Sequence, residues 1–449
     1  MSELVARLEA TGSDARPLRA LLVGMGITNR AVAGALLRRG HRIVAIDDRV
    51  DDELRTAAAD LGLELVESPS TETLRDLAVD ADFVVPAPGL PESHVAFSLG
   101  LPVVSELDLA AAWDKRPIAA ITGTNGKTTV VELCVAALEQ AGIRAIAAGN
   151  TDVPLVAAID QVDIDVFVVE ASSFRLAQVQ SFAPQVGTWL NFAPDHLDIH
   201  RDLATYEAAK AQVFARIAPG GTAVANASDP TVMRHLPTDR TVVTFGSPGA
   251  DWHQAGDKLV GPDGPFTTTD RMWRSLPHDI EDLLAVAATV VALGAPVSAV
   301  AAAAERFSGL PHRVTPVAEI DGSMYFDDSK STTPHATVAA LRGFDRVVLI
   351  AGGRNKGIDL GELSEGGAHI HAVVAIGEAA DDIVAVFAPT HTVVRADSMD
   401  EAVAAARVLA IGGCPVVLSP ACASFDWYRN YGERGDDFTR AVRALETGS

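Results

Sequence analysis

An apolar run at positions 118–121 leads into Gly123-Thr124-Asn125-Gly126-Lys127-Thr128-Thr129, and a helical run follows to about position 141. No other feature narrows the fold of this chain as far. A strand that ends in a Gly-rich turn and then opens a helix is the phosphate-binding arrangement of α/β proteins. Backbone N–H groups of the turn and of the helix N-terminus cradle a β-phosphate. A lysine placed as Lys127 is reaches the β- and γ-phosphates, and a hydroxyl placed as that of Thr128 can ligate Mg2+. The general pattern has its first glycine at the position held here by Ile121; this loop starts at Gly123 and is a compact variant.

Short apolar runs alternate with longer helical stretches along the rest of the chain, the pattern of parallel sheets in α/β proteins. At roughly 150 residues per domain, 449 residues suggest about three domains. The first block, 1–112, has strands expected at 19–23, 42–46, 63–66 and 83–85. The second, 113–309, has strands expected at 118–121 and 166–169, and Ala-rich helices near 300. The third, 310–449, has strands expected at 346–350, 372–376, 392–394 and 416–418. The expected architecture is α/β in three domains: Rossmann-like, central P-loop with a mostly parallel sheet, and Rossmann-like again.

The formal net charge of −23, from 36 basic and 59 acidic side chains, repels nucleic acid and anionic membrane. Bound anions must then be held by helix N-termini and a few placed cations. Three cysteines, Cys134, Cys414 and Cys422, are too few and odd in number for a disulfide framework, which points to a reducing, cytoplasmic compartment. The first 20 residues lack a signal-peptide pattern. Positions 285–304 carry no charge, but Gly294-Ala295-Pro296 interrupts them. They read as two helices joined by a turn rather than as a membrane span.

A second Gly-rich turn, Val23-Gly24-Met25-Gly26-Ile27-Thr28-Asn29, follows the first expected strand, and Asp47-Asp48 end the next. This is most of a dinucleotide fingerprint, with Asn29 where its third glycine would stand. NAD, another nucleotide diphosphate, or a turn without a ligand all fit it. Asp165-Val166-Phe167-Val168-Val169-Glu170 is an apolar run ending in a carboxylate. Glu170 is either a solvated strand end or a metal ligand at the carboxyl edge that the phosphate loop uses. Asn191-Phe192-Ala193-Pro194-Asp195-His196-Leu197-Asp198-Ile199-His200 is either a polar loop or a set of oxygen and imidazole donors that suit Mg2+ and not zinc. Lys210, with Tyr206 and Phe214 on the same helical face, reads by its neighbours as a solvated lysine.

Gly123–Thr129, Glu170-Ala171-Ser172-Ser173-Phe174 and Asp195-His196-Leu197-Asp198, in this order, resemble the Mur ligase family. Four further motifs narrow the resemblance to its D-glutamate-adding branch. They are Leu310-Pro311-His312-Arg313, Asp328-Ser329-Lys330-Ser331-Thr332-Thr333-Pro334, Gly352-Gly353-Arg354-Asn355-Lys356-Gly357 and Ser419-Pro420-Ala421-Cys422-Ala423-Ser424-Phe425-Asp426. The tail Tyr428-Arg429-Asn430-Tyr431-Gly432-Glu433-Arg434-Gly435 fits the same branch, and the resemblance covers essentially the whole chain.

That resemblance implies an ATP-dependent amide ligase, acting as a monomer on small molecules: ATP, UDP-N-acetylmuramoyl-L-alanine and D-glutamate. It assigns Gly123, Thr124, Asn125, Gly126, Lys127, Thr128 and Thr129 to the nucleotide, with Arg313 and Asp328 approaching it. It implies two Mg2+ ions, one on Thr128 and Glu170, the other on His196 with a carbamylated Lys210. Lys330, Thr332, Lys356, Ser424, Phe425 and Tyr431 form the implied D-glutamate pocket. Asn150 touches the nucleotide-sugar substrate, while Ile27, Thr28, Asp47 and Arg49 hold its uracil and diphosphate. The family's Ser-Pro-Gly is Ala87-Pro88-Gly89 here, which removes one hydroxyl contact, and Asn355 stands where an Asp is common. The alternatives are a sister ligase taking L-glutamate, diaminopimelate or a folate, a NAD-dependent oxidoreductase, or a P-loop switch without ligase activity.

Overall fold

A computed structural model describes residues 2–9, 16–197 and 199–447. Asp198 and positions 10–15 of the N-terminal stretch lie outside the described residues. The chain is α/β, with three sheets that follow one another in sequence.

The first sheet holds β1 (Arg19–Val23), β2 (Arg42–Asp47), β3 (Glu64–Glu67) and β4 (Phe83–Pro86), in the order β3-β2-β1-β4 and all parallel. The second begins with β5 (Ile118–Thr122), β6 (Ala145–Gly149), β7 (Val166–Glu170), β8 (Val186–Trp189) and β9 (Thr222–Asn226). It continues with β10 (Thr241–Gly246), β11 (Trp252–Ala255), β12 (Lys258–Gly261) and β13 (Gly264–Thr268). Its order is β13-β12-β11-β10-β9-β8-β5-β7-β6. The third holds β14 (Thr315–Ile320), β15 (Ser323–Asp327), β16 (Val347–Gly352), β17 (Ile370–Ile376), β18 (Thr392–Ala396) and β19 (Val416–Leu418), in the order β14-β15-β19-β16-β17-β18. Only β14 runs antiparallel to its neighbour there.

The continuous apolar runs of the central strands follow from burial on both faces. In β16, Val347, Leu349 and Ala351 enter one core, while Val348 and Ile350 enter another on the opposite face. Side chains alternate along a strand, so a sheet covered on both sides favours apolar residues at successive positions. The uncharged stretch near 300 forms two helices, Pro277–Ala292 and Val297–Arg306, broken at Gly294 with its positive φ of 90°. Among the described residues no helix is long and apolar enough to cross a membrane.

The chain divides into two compact units. One comprises residues 1–192, 199–267 and 282–304, with the first two sheets; a single core runs from Leu22 and Phe83 to Phe167 and Trp189. The other comprises 193–198, 268–281 and 305–449, with the third sheet.

Candidate active site

In the first unit, β5 lies between β7 and β8, all parallel. The chain leaves β5 for β6, which sits beyond β7, so the carboxyl ends of β5, β7 and β8 open together. Such an edge is where open α/β sheets bind ligands. The register pairs Ile121 with Glu170 and Thr122 with Trp189, which sets the phosphate loop beside the end of β7 and beside Asn191.

The loop is shaped by close packing. Gly126 takes a left-handed conformation (φ 84°) and caps the helix Lys127–Gln140. A Cβ there would lie 2.6 Å from Asp282 Oδ1, so only glycine turns the chain at this point. Asn191 fixes the loop from the other side: its carbonyl accepts from Thr124 N–H at 3.1 Å and its Oδ1 from Asn125 N–H at 2.9 Å. The Lys127 ammonium donates to the carbonyls of Gly123 (2.7 Å) and Thr124 (2.8 Å), so its charge stays over the loop. Thr129 is buried in the first helical turn.

Glu170 is buried rather than solvated. Its Oε2 accepts from the Thr128 hydroxyl at 2.8 Å, and its Oε1 from the Asn150 amide at 2.9 Å. Three residues expected to serve the reaction thus meet at one carboxylate. A hydroxyl beside a single carboxylate fits Mg2+, which takes one or two protein oxygens and fills its octahedron with phosphate and water. Among the described residues no cluster of three or more His, Cys, Asp or Glu side chains forms a larger cage.

Lys210 corrects the reading of a solvated lysine. The helix Leu203–Ala215 buries its Tyr206, Lys210 and Phe214 face, and Lys210 is 1% exposed. Its ammonium donates to Gly123 O at 2.7 Å and lies 4.7 Å over the Tyr206 ring. The Tyr206 hydroxyl pairs with Thr124 Oγ1 at 3.1 Å. Tyr206 and Asn191 both brace the loop, and nothing in their sequence surroundings marks them for it.

The first sheet places its candidates at or beyond the ends of β1, β2 and β4. The Asp47 carboxylate accepts from the backbone N–H of Met25 (2.6 Å) and of Arg49 (2.8 Å), closing the turn. Ile27, Arg49 and Gly89 are exposed. Asn29 does not face a ligand: it is fully buried, and its amide points at the carbonyls of Gly24 (2.8 Å), Val85 (3.1 Å) and Val23 (3.3 Å). Thr28 accepts at Oγ1 from Arg175 (2.9 Å), whose guanidinium also pairs with buried Glu106 at 2.6 Å. Burial holds the Glu106 pKa above the usual carboxylate range despite that partner.

The second unit gathers the remaining candidates. Gly352 and Gly353 turn with φ of 128° and 133°, and a Cβ on Gly352 would lie 1.9 Å from Ile376 O. The turn leads to Lys356, whose ammonium pairs with Asp195 at 3.1 Å. Burial would raise the Asp195 pKa, but the charges of His196 and Lys356 outweigh it and hold the carboxyl below its ordinary range. His196 adjoins Asp195, Nε2 to Oδ2 at 3.2 Å, and has a left-handed backbone (φ 57°). Lys330 lies 5.2 Å over the Tyr431 ring, and its backbone N–H donates to His312 O at 3.1 Å. Thr332 is half-buried, Ser424 is buried and Phe425 is exposed. Asp328 is buried, accepting from Val314 N–H (3.2 Å) and Ser419 Oγ (2.7 Å). Burial pushes its pKa up to about 6 against the hydrogen bonds of Ser331 and Ser419. The Nε of Arg313 is buried without a hydrogen-bond partner.

A phosphate loop with a hydroxyl–carboxylate pair at one sheet edge defines a nucleoside-triphosphate-binding α/β protein. Residues 121–265 match the Mur ligase middle domain, and residues 312–422 match the Mur ligase, glutamate ligase domain. The chain is 40% identical to the UDP-N-acetylmuramoylalanine--D-glutamate ligase of Frankia casuarinae, covering 96% of this chain and 94% of that one. It is 37% identical to the protein of the same name from Desulfosudis oleivorans, covering 96% and 97%. The chain belongs to the Mur ligase family. Solved structures share its fold. A pseudomurein peptide ligase type C from Methanothermus fervidus has a TM-score of 0.61 at 16% identity, covering 96% of this chain and 99% of that one. MurF from Acinetobacter baumannii also has a TM-score of 0.61, at 17% identity, covering 94% and 90%.

Proposed function

We propose that this chain is an ATP-dependent amide ligase that joins D-glutamate to the alanyl carboxylate of UDP-N-acetylmuramoyl-L-alanine, a step of peptidoglycan precursor synthesis. The observation that carries the chemistry is the junction of Lys127, Thr128 and Glu170 at one sheet edge. Near-full-length likeness to relatives named for this reaction supports the choice of substrates. The domains are proposed as 1–112 for the UDP moiety, 113–309 for ATP and 310–449 for the amino acid. We place the reaction in the cytoplasm, where nucleotide-linked precursors and ATP are made.

A carboxylate does not acylate an amine at neutral pH. Its oxygen first attacks the γ-phosphorus of ATP, the bond to the bridging oxygen breaks, and ADP leaves with an acyl phosphate behind. The glutamate amine then attacks the acyl carbon, loses a proton, and expels phosphate. Lys127 neutralises charge on the phosphates as the phosphoryl group moves. Bound Mg2+ supplies charge neutralisation and orientation of the phosphates; Thr128 and Glu170 would hold one ion. His196 would hold a second, supported by Lys210 as its carbamate. Lys330 and Lys356 clamp the glutamate carboxylates, with Ser424 donating a hydrogen bond. Asn150 orients the substrate from its place on Glu170.

Phosphate release with ATP, Mg2+ and UDP-N-acetylmuramoyl-L-alanine, varying only the amino acid, tests this. Release that depends on D-glutamate supports the reading. Release with L-glutamate or diaminopimelate instead moves the chain to a sister reaction, and no release with any amino acid overturns it. Lys127→Ala abolishes turnover with the melting curve unchanged; near-normal rates in that variant refute the role of the lysine.

A further inference from the structure

We propose that His200 is a positioning residue that couples the nucleotide-sugar substrate to the phosphate loop. The inference rests on the functional reading above, which assigns residues 1–112, Glu92 and its loop among them, to the UDP moiety of that substrate. His200 is buried in the first unit, with a polar partner on each ring nitrogen. Nδ1 meets Glu92 Oε1 at 3.2 Å, and Nε2 meets Ser173 Oγ at 2.9 Å. A carboxylate only accepts, so Nδ1 carries a proton toward Glu92, and Nε2 shares a hydrogen bond with the Ser173 hydroxyl.

Serine, histidine and carboxylate in this order resemble an activated nucleophile. The surroundings argue otherwise. Ser173 is 1% exposed. The cavity of about 270 Å³ beside the histidine is lined by Leu90, Phe97, Phe174 and Ile199 among others, and not by Ser173. The serine is buried away from that cavity, and the contacts of His200 are read as mechanical.

Those contacts join three elements. Glu92 stands three residues beyond Gly89 on the loop that follows β4. Ser173 and Phe174 follow Glu170 at the end of β7, and Phe174 stacks on the imidazole with centroids 5.5 Å apart. Tyr206 lies against its ring at 5.3 Å, and its hydroxyl reaches Thr124 in the phosphate loop. A substrate that orders the loop carrying Glu92 therefore orders the imidazole, and through it the tyrosine that braces the phosphate loop. Ordering done once for the first ligand is not repeated for the second, which is positive coupling without a change of shape. By linkage the coupling is reciprocal.

Calorimetric titration of the full chain with Mg2+ and a non-hydrolysable ATP analogue tests this, with and without saturating UDP-N-acetylmuramoyl-L-alanine. In the unaltered protein the nucleotide sugar tightens the analogue by about tenfold, mid-range for coupled sites. His200→Ala removes that tightening while the analogue still binds alone. His200→Gln, which keeps an amide near the position of Nε2, restores part of it and serves if the alanine variant folds poorly. Glu92→Gln keeps an acceptor for Nδ1 and most of the effect. Full tightening in both histidine variants, or none in the unaltered protein, overturns the proposal. A direct titration of the nucleotide sugar separates the two readings: if it does not bind the unaltered chain, the assigned function fails, whereas binding without histidine-dependent coupling fails this inference alone.

Discussion

Replacing Asp328 with Asn makes this protein more stable at neutral pH and leaves it nearly unchanged in acid. The carboxyl is buried with a pKa raised to about 6, against an ordinary value near 3.9. The folded state therefore holds a proton that the unfolded chain has already released, and stability falls as pH rises through the interval between the two values. A shift of about two units at 1.36 kcal/mol each amounts to about 3 kcal/mol, lost between roughly pH 4 and pH 6 and constant above. Asparagine fits the same space. Its oxygen can accept from Val314 N–H, and its amide can donate to Ser419 Oγ, which is free to turn its own hydrogen to Thr337 Oγ1 at 3.0 Å. Urea unfolding of both proteins at fixed ionic strength, in steps from pH 4.5 to pH 7.5, isolates the group because all other titrations cancel. The variant's advantage should grow by about 2–3 kcal/mol across that range and flatten above pH 7. A difference that does not change with pH refutes the reasoning.

The same subtraction applied to His312→Gln gives the opposite sign. The hydrogen bond to Asp327 raises the His312 pKa, so its stabilisation is fully present below the ordinary value of about 6.5 and is lost as pH rises through the raised one; melting temperatures of the two proteins should converge in base. Gly126→Ala meets a left-handed φ of 84° and a contact of 2.6 Å to Asp282. It should cost about 1–3 kcal/mol and weaken ATP-analogue binding at least tenfold by calorimetry; normal affinity would show that the loop has slack. Breaking the buried pair with Glu106→Gln or Arg175→Met should cost about 3–5 kcal/mol each by denaturant unfolding, and the double replacement less than their sum.

The strands that carry the site were legible because burial on both faces leaves unbroken apolar runs, as at 118–121 and 166–169. The phosphate loop was legible because glycine is required where φ turns positive. The outer strands β10 to β13 were not, since Thr241–Gly246 and Trp252–Ala255 are only partly buried and carry no unbroken apolar run. Lys210 read as a surface lysine because helical spacing reports which face a residue is on, and not whether another element covers it. Asn29 read as a departure from a ligand-binding fingerprint; its role is to satisfy backbone carbonyls of two strands. Asp328 sits in a run of polar residues that looks like an exposed loop, and only the pairing of β15 with β19 takes it inside.

Glu170 has both carboxylate oxygens engaged, one by a helix start and one by the turn after β6. Its rotamer and the spacing of its neighbours are thus settled during folding, before any ion arrives. Thr128 and Glu170 would hold Mg2+ with little further ordering of their side chains. Metal capture should then carry little cost for ordering side chains, which separates a template made in advance from one moulded around its guest.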